Sequence, residues 1–163
     1  MQVVTDRTTN VVIAGLGGQG ILKASDILSA AALLEGRDVK KSELHGMSQR
    51  GGSVSSDVRF GSEVLSPMVP AGEADYLLVL TEDQVEVVRQ RLADDGVLIA
   101  PDCLDTDELP RRQTLNVAML GALSTHLDIS EGSWMQAMRD NLPEKYHEMN
   151  EEAFRLGQEC AEE

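Results

Sequence analysis

Apolar and polar positions change period several times along the chain, and each change marks an element. Residues 10–14 (Asn-Val-Val-Ile-Ala) are a short β-branched run that stops at Gly15, the pattern of a strand covered on both faces. From Gly18 to Leu34 the repeat lengthens. Ile21, Ala24, Leu28 and Ala31 fall on one helical stripe, and Gly36 is placed to end the helix. Ala24, Ser25, Ala30, Ala31 and Ala32 are small enough to let it lie close on a sheet. Strand, glycine turn and helix together open a βαβ unit.

A second strand is expected over residues 39–44, where Lys40 and Lys41 mark an edge. Residues 54–60 alternate Val54, Ser56, Val58, Phe60, a third strand with one apolar face. Only a loop separates it from its predecessor, so antiparallel pairing and a mixed sheet follow. Residues 75–80 read as a buried strand. Thr81 then caps a helix reaching about Leu92, with Glu82 and Asp83 in its first turn. Asp94-Asp95-Gly96 reads as a turn into a strand over residues 97–100, stopped by Pro101, with a right-handed crossover between the two strands. Residues 102–113 are acidic, broken by Pro110, and read as an exposed loop. Residues 116–127 form an apolar helix. Ser130 or Ser133 caps the next, which carries Trp134, Ala137 and Met138. Pro143 starts the last helix, whose apolar stripe is Tyr146, Met149, Ala153, Leu156 and Cys160. The expected fold is α/β: a three-layer, Rossmann-like arrangement with a mostly parallel but mixed sheet flanked by helices and a helical C-terminal segment. It forms one domain over residues 10–163 after a flexible stretch of residues 1–9.

Composition narrows the function. With 163 residues the chain can bury a core without disulfide or metal staples. Its five aromatic residues leave the aliphatics and seven methionines to fill that core. No run is long and apolar enough to span a bilayer, and residues 1–9 lack the apolar centre of a signal peptide, so a cytoplasmic protein with no membrane partner is expected. Cys103 and Cys160 are isolated, so no zinc or iron–sulfur spacing exists, and both are expected as free thiols. The net charge of −14 excludes nucleic acid as a partner, because counterion release needs a cationic surface. The charge is uneven. Residues 82–163 carry 19 acidic and seven basic side chains, against nine and seven in residues 1–81. Within residues 37–59 the balance reverses, with Arg37, Lys40, Lys41, Arg50 and Arg59 against Asp38, Glu43 and Asp57. That island suits an anionic ligand or an acidic partner patch, or is a chance cluster on a solvated face.

Two glycine segments carry the candidate chemistry. Gly15-Leu16-Gly17-Gly18-Gln19-Gly20 fits G-x-G-x-x-G between a strand and a helix, where glycines let a phosphate approach backbone N–H donors at a helix N-terminus. Alternatively they only permit tight packing. A dinucleotide fold would also need an acidic residue ending the second strand, and Glu43 is the candidate. It is followed at once by a second glycine segment, His45 to Gly52, that such a fold does not require. Gly46-Met47-Ser48-Gln49-Arg50 lacks the closing glycine of a nucleophile elbow. His147-Glu148 lacks the second histidine of a zinc helix. His126 and His147 read as surface or helix-end residues. His45, between Glu43 and Arg50, is a candidate proton-transfer group or polar contact, or a loop histidine tied to backbone.

The glycine turn with Gln19, followed by Ser42-Glu43-Leu44-His45-Gly46-Met47-Ser48-Gln49-Arg50-Gly51-Gly52-Ser53-Val54 and Val58-Arg59-Phe60-Gly61, resembles the gamma subunits of the 2-oxoacid:ferredoxin oxidoreductases, and among them the small subunits acting on indolepyruvate. Ala74-Asp75, Asn116, Met119 to Ala122, Asn150, Ala153-Phe154 and Gly157 agree. Residues 102–113 are shorter than is usual there, which implies that a short edge strand is missing. The resemblance implies a subunit, inactive alone, of an enzyme that decarboxylates a 2-oxoacid, transfers the acyl group to coenzyme A and reduces ferredoxin. Thiamine diphosphate, Mg and iron–sulfur clusters would sit on partner subunits. This chain would contribute to assembly and to coenzyme A binding through Gly15, Gly17, Gly18, Gln19, Gly20, Ser42, Glu43, His45, Gly46, Gln49, Arg50, Gly51 and Gly52, with no complete catalytic group. Arg50 and the Gly51-Gly52 backbone would face the partner or ligand. The alternative is a stand-alone dinucleotide-binding protein, and a plainer one is a scaffold domain whose glycine turn stays empty.

Overall fold

The computed structural model describes residues 7–45 and 52–162. Strand β1 (Thr9–Leu16) lies at the centre of a five-stranded sheet with β2 (Asp38–His45), β3 (Ser53–Gly61), β4 (Ala74–Val79) and β5 (Leu92–Ile99). The order is β2-β3-β1-β4-β5. β3 runs antiparallel to both neighbours, while β1, β4 and β5 are parallel. The sheet is therefore mixed as expected, and the lysine-bearing β2 is its edge. The short link between β2 and β3 leaves no room for a crossover helix, so β3 must turn back beside β2.

Helix α1 (Ile21–Leu34) packs on β2 and β3. Its contact residues Ala24, Ile27, Leu28, Ala31 and Ala32 are fully buried against Val11, Ile13 and Val58 of the sheet. The same face carries α3 (Leu115–Ser124), with α4 (Glu131–Asn141) laid on α1 and α5 (His147–Ala161) on α3. Among the described residues the opposite face carries the one short helix α2 (Glu82–Val88), over a smaller core of Val12, Leu77, Val79 and Val85. Among the described residues no helix is long and apolar enough to cross a membrane.

Several boundaries and faces differ from the pattern's expectation. Asp94-Asp95-Gly96 lies inside β5, where the register with β4 shifts between Ala74 and Tyr76. A local irregularity absorbs the polar residues there, with no turn. α2 stops at Val88 and passes into a 3-10 turn, Arg89–Arg91. Thr81 holds the N-cap position, but its side chain makes no capping bond and its hydroxyl donates to Gln19 instead. Residues 101–114 contain three 3-10 turns and no strand, so β5 is the second edge.

The last helix has the expected period in a different phase: Asn150, Ala153, Phe154 and Gly157 are buried. The cause is a close crossing with α3. A Cβ at Gly121 would stand 2.0 Å from the Phe154 carbonyl oxygen, and one at Gly157 would stand 1.8 Å from that of Ala118. Covered by the sheet on one side and α5 on the other, α3 is buried from Asn116 to Ser124. The aromatics also take a larger share of the core than their number suggests. Phe60, Trp134 and Phe154 are fully buried, whereas Met119 and Met138 are the buried methionines among the described residues. Ser130 is the cap of α4, accepting from the Ser133 amide at 3.3 Å.

Candidate functional site

The parallel strands β1 and β4 end side by side, and the turn after β1 sits at their C-terminal end, where α/β sheets leave a crevice. Its glycines have separate reasons. At Gly15 a Cβ would meet Gln19 Oε1 at 2.7 Å and Ile21 Cδ1 at 2.9 Å, so this residue allows tight strand-to-helix packing. Gly18 has φ 89° and nothing within 4 Å of its missing side chain, so its backbone borders open space. Gly20 has φ 79° and opens α1, and a Cβ there would stand 2.5 Å from Asn116 Nδ2.

Gln19 is turned into the protein. Its Oε1 accepts from the Leu16 amide at 2.8 Å and from the Thr81 hydroxyl, and its Nε2 donates to the Leu80 carbonyl at 3.4 Å. The side chain thus clamps the turn to the end of β4. Asn116 holds it from below. Buried at 6 % exposure, it donates to the Gly20 carbonyl at 3.2 Å.

The second glycine segment meets the first. The Gly17 amide donates to the Gly52 carbonyl at 2.9 Å, and His45 pairs across the sheet with Val54, itself opposite Gly15. Glu43 shares the α1-side face with His45 but is engaged by Lys41 at 3.5 Å. Ser42 has the opposite parity and stands beside Asp57 on the other face. The structure thus gathers Gly15, Gly17, Gly18, Gln19, Gly20, His45 and Gly52, and leaves Ser42 and Glu43 apart. Gly46, Gln49, Arg50 and Gly51 lie outside the described residues.

Two clefts flank the turn. One, of about 300 Å³, lies between Gly17, Gly18 and the first turn of α1, with Lys23 and His45 at its edge. The first-turn amides of α1 have no acceptor within the helix, and no side chain caps them. The other, of about 540 Å³, lies between Gly18 to Gly20 and the segment holding Thr106, Leu109, Arg112 and Gln113. An unsatisfied helix start and a nearby cation suit an anionic group. The Arg112 wall was missed because its segment reads as an acidic loop, and only the two basic residues Arg111 and Arg112 interrupt that reading.

The described cations of the island, Arg37, Lys40, Lys41 and Arg59, do not converge on the turn, and Arg50 lies outside the described residues. Lys40 pairs in register with Arg59, itself opposite Asn10, toward the other end of the sheet. These four are also engaged: Arg37 with the Asp128 carbonyl, Lys40 with Asp38, Lys41 with Asp26 and Glu43, and Arg59 with Asn10 and the Ser66 carbonyl. Nor is the dinucleotide pattern completed. β3 lies between β1 and β2, which sets Glu43 two strand spacings, about 10 Å, from the glycine-bearing strand. In a dinucleotide site the acidic residue ends the adjacent parallel strand.

Comparison with known proteins agrees with this layout. The profile of the pyruvate ferredoxin/flavodoxin oxidoreductase family matches residues 10–113. The indolepyruvate oxidoreductase subunit IorB of Thermococcus kodakarensis is 34% identical, over 94% of this chain and 96% of its own length. The gamma subunit of a keto/oxoacid ferredoxin oxidoreductase from Geobacter sulfurreducens superposes with a TM-score of 0.81, at 24% identity, over 95% of this chain and 97% of that one. A 2-oxoglutarate:ferredoxin oxidoreductase from Magnetococcus marinus, with 2-oxoglutarate, coenzyme A and succinyl-CoA bound, superposes with a TM-score of 0.80 at 22% identity, over 97% of this chain and 32% of that one.

Proposed function

The chain belongs to the pyruvate ferredoxin/flavodoxin oxidoreductase family as a small, gamma-type subunit of a 2-oxoacid:ferredoxin oxidoreductase, and on that premise we propose that its own part is to hold the anionic end of coenzyme A at the glycine turn. The assembled enzyme decarboxylates a 2-oxoacid oxidatively, passes the acyl group to the coenzyme A thiol and delivers electrons to ferredoxin. The observation that carries the proposal is the turn itself: open backbone at Gly18, an uncapped helix start after Gly20, and clefts with a cation on each side. Such a site neutralises phosphate without itself reacting. The coenzyme A bound in the Magnetococcus marinus enzyme, whose chain includes a region of this fold, supports the choice of ligand.

Catalysis falls to partner subunits. The chain has two cysteines, Cys103 and Cys160, against the four thiolates a cluster takes, so the iron–sulfur centres belong elsewhere. In this reading thiamine diphosphate with its Mg likewise belongs to a partner subunit. The assembly is cytoplasmic, in keeping with two free thiols. The likeness to indolepyruvate oxidoreductase subunits favours an arylpyruvate as the 2-oxoacid.

The test is purification from the native cell with the co-purifying chains identified, followed by assay of 2-oxoacid and coenzyme A dependent ferredoxin reduction. A thiamine diphosphate-binding partner and coenzyme A dependence are expected. An isolated chain that binds NAD(P) or FAD and recruits no such partner would overturn the reading.

A further inference from the structure

The larger cleft has two unlike walls. One is the glycine turn, and the other is the 3-10 turn Arg112–Thr114 that leads into α3. A rigid path of buried residues joins them. Thr114, 2 % exposed, closes its turn by bonding the Arg111 carbonyl through both its amide and its hydroxyl. Two residues on, buried Asn116 donates to the Gly20 carbonyl. The position of Arg112 opposite the turn is therefore set by the packed start of α3, although its own side chain is exposed.

Its charge is also uncommitted. Arg7, Lys40, Lys41, Arg89, Arg91 and Arg139 form ion pairs. The Arg112 guanidinium has no hydrogen bond or ion pair among the described residues, although Asp105, Asp107 and Glu108 precede it in the same segment. In a chain of net charge −14, an unpaired guanidinium across a cleft from open glycine backbone is available to an anion.

We propose that Arg112 is a coenzyme A binding residue whose guanidinium takes a phosphate group of the ligand from the wall opposite the glycine turn. The inference rests on the coenzyme A reading above and adds to it the residue that neutralises the phosphate. The planar fork of arginine suits two phosphate oxygens at once, which a lysine ammonium cannot match.

The experiment uses the assembled enzyme and compares wild type with Arg112→Ala, Arg112→Lys and Arg155→Ala. Arg155 lies on α5 and lines neither cleft, so its removal subtracts the same charge elsewhere. Arg112→Ala should raise KM for coenzyme A by about ten-fold or more, the loss of one charge-assisted contact, with the change in KM rather than in kcat. Arg112→Lys should fall between the two, and Arg155→Ala should match wild type. Repeating the series with dephospho-coenzyme A assigns the phosphate. If the penalty disappears, the partner is the 3′-phosphate; if it persists, the partner is the pyrophosphate. A wild-type KM in Arg112→Ala, or an equal rise in Arg155→Ala, would overturn the role of Arg112. A photoreactive coenzyme A analogue separates this failure from that of the underlying reading, because labelling confined to partner subunits would remove coenzyme A from this chain altogether.

Discussion

The Gly17 amide donates to the Gly52 carbonyl at 2.9 Å, so the two glycine segments of the sequence share one backbone bond at the end of the central strand. With Gln19 clamped to Leu16, Leu80 and Thr81, this leaves the turn little freedom beyond Gly18. A preformed turn adds little ordering cost when a ligand arrives.

Hydrogen exchange should resolve that difference within the turn. The Gly17 amide is bonded, and the neighbouring Gly18 amide has no acceptor among the described residues. Residue-resolved exchange on the assembled protein should find Gly17 slower than Gly18 without coenzyme A. Equal, fast exchange at both would mean that the segments do not stay joined.

The α3–α5 crossing predicts a large effect from one methyl group. A Cβ at Gly157 would lie 1.8 Å from the Ala118 carbonyl oxygen, an overlap that only separation of the helices relieves. Gly157→Ala should cost about 1–3 kcal/mol or more by overpacking, despite the better helix propensity of alanine. Thermal unfolding would show a lowered Tm, and a wild-type or higher Tm would refute the close crossing.

On the other sheet face, Asp57 is buried and ion-paired with Arg91 at 2.7 Å, and it accepts from the Val69 amide at 2.9 Å. It ties β3 to the loop before β4 and to the 3-10 turn after α2. Asp57→Ala strands both donors and should destabilise by about 3–5 kcal/mol. Asp57→Asn, which keeps an acceptor for Val69, should lose less. Denaturant titration of the two variants against wild type measures both effects.

A pH dependence follows from the link between α1 and α4. The Ser130 side chain and its amide, which donates to Glu35 at 2.7 Å, hold the Glu35 carboxyl below the usual carboxylate range, with Ser133 assisting. A carboxyl depressed in the folded state contributes stability above its unfolded pKa and loses it as the pH falls through the folded value. The stability advantage of wild type over Glu35→Gln should therefore be present at about pH 6 and shrink below about pH 4. Melting temperatures across that range decide it, and a constant difference would show that the carboxylate charge plays no part.

Much of this architecture follows from local pattern. The β-branched run before Gly15, the helical stripe from Ile21 to Ala31 and the lysines of β2 each specify an element through interactions within a few residues, and each element formed where it was expected. The missing crossover between residues 45 and 53 was enough to imply a mixed sheet. Local period also specified that the last helix was amphipathic, but its phase depended on Gly121, far away in the chain and brought against it only by packing.

The site divides in the same way. G-x-G-x-x-G and the second glycine segment are visible in the sequence because backbone freedom is a property of residue type. Which charges surround them is not, because that depends on strand order and on contacts between distant residues. Placing β3 between β1 and β2 removed Glu43 from the glycine strand and carried Arg37, Lys40 and Arg59 toward the far end of the sheet. Folding α3 back beneath Gly20 brought Arg112 opposite the turn. The sequence by itself determined the elements and the presence of an open glycine turn. Only the tertiary structure decided which cations face it, because charge placement is set by long-range packing and local period carries no information about it.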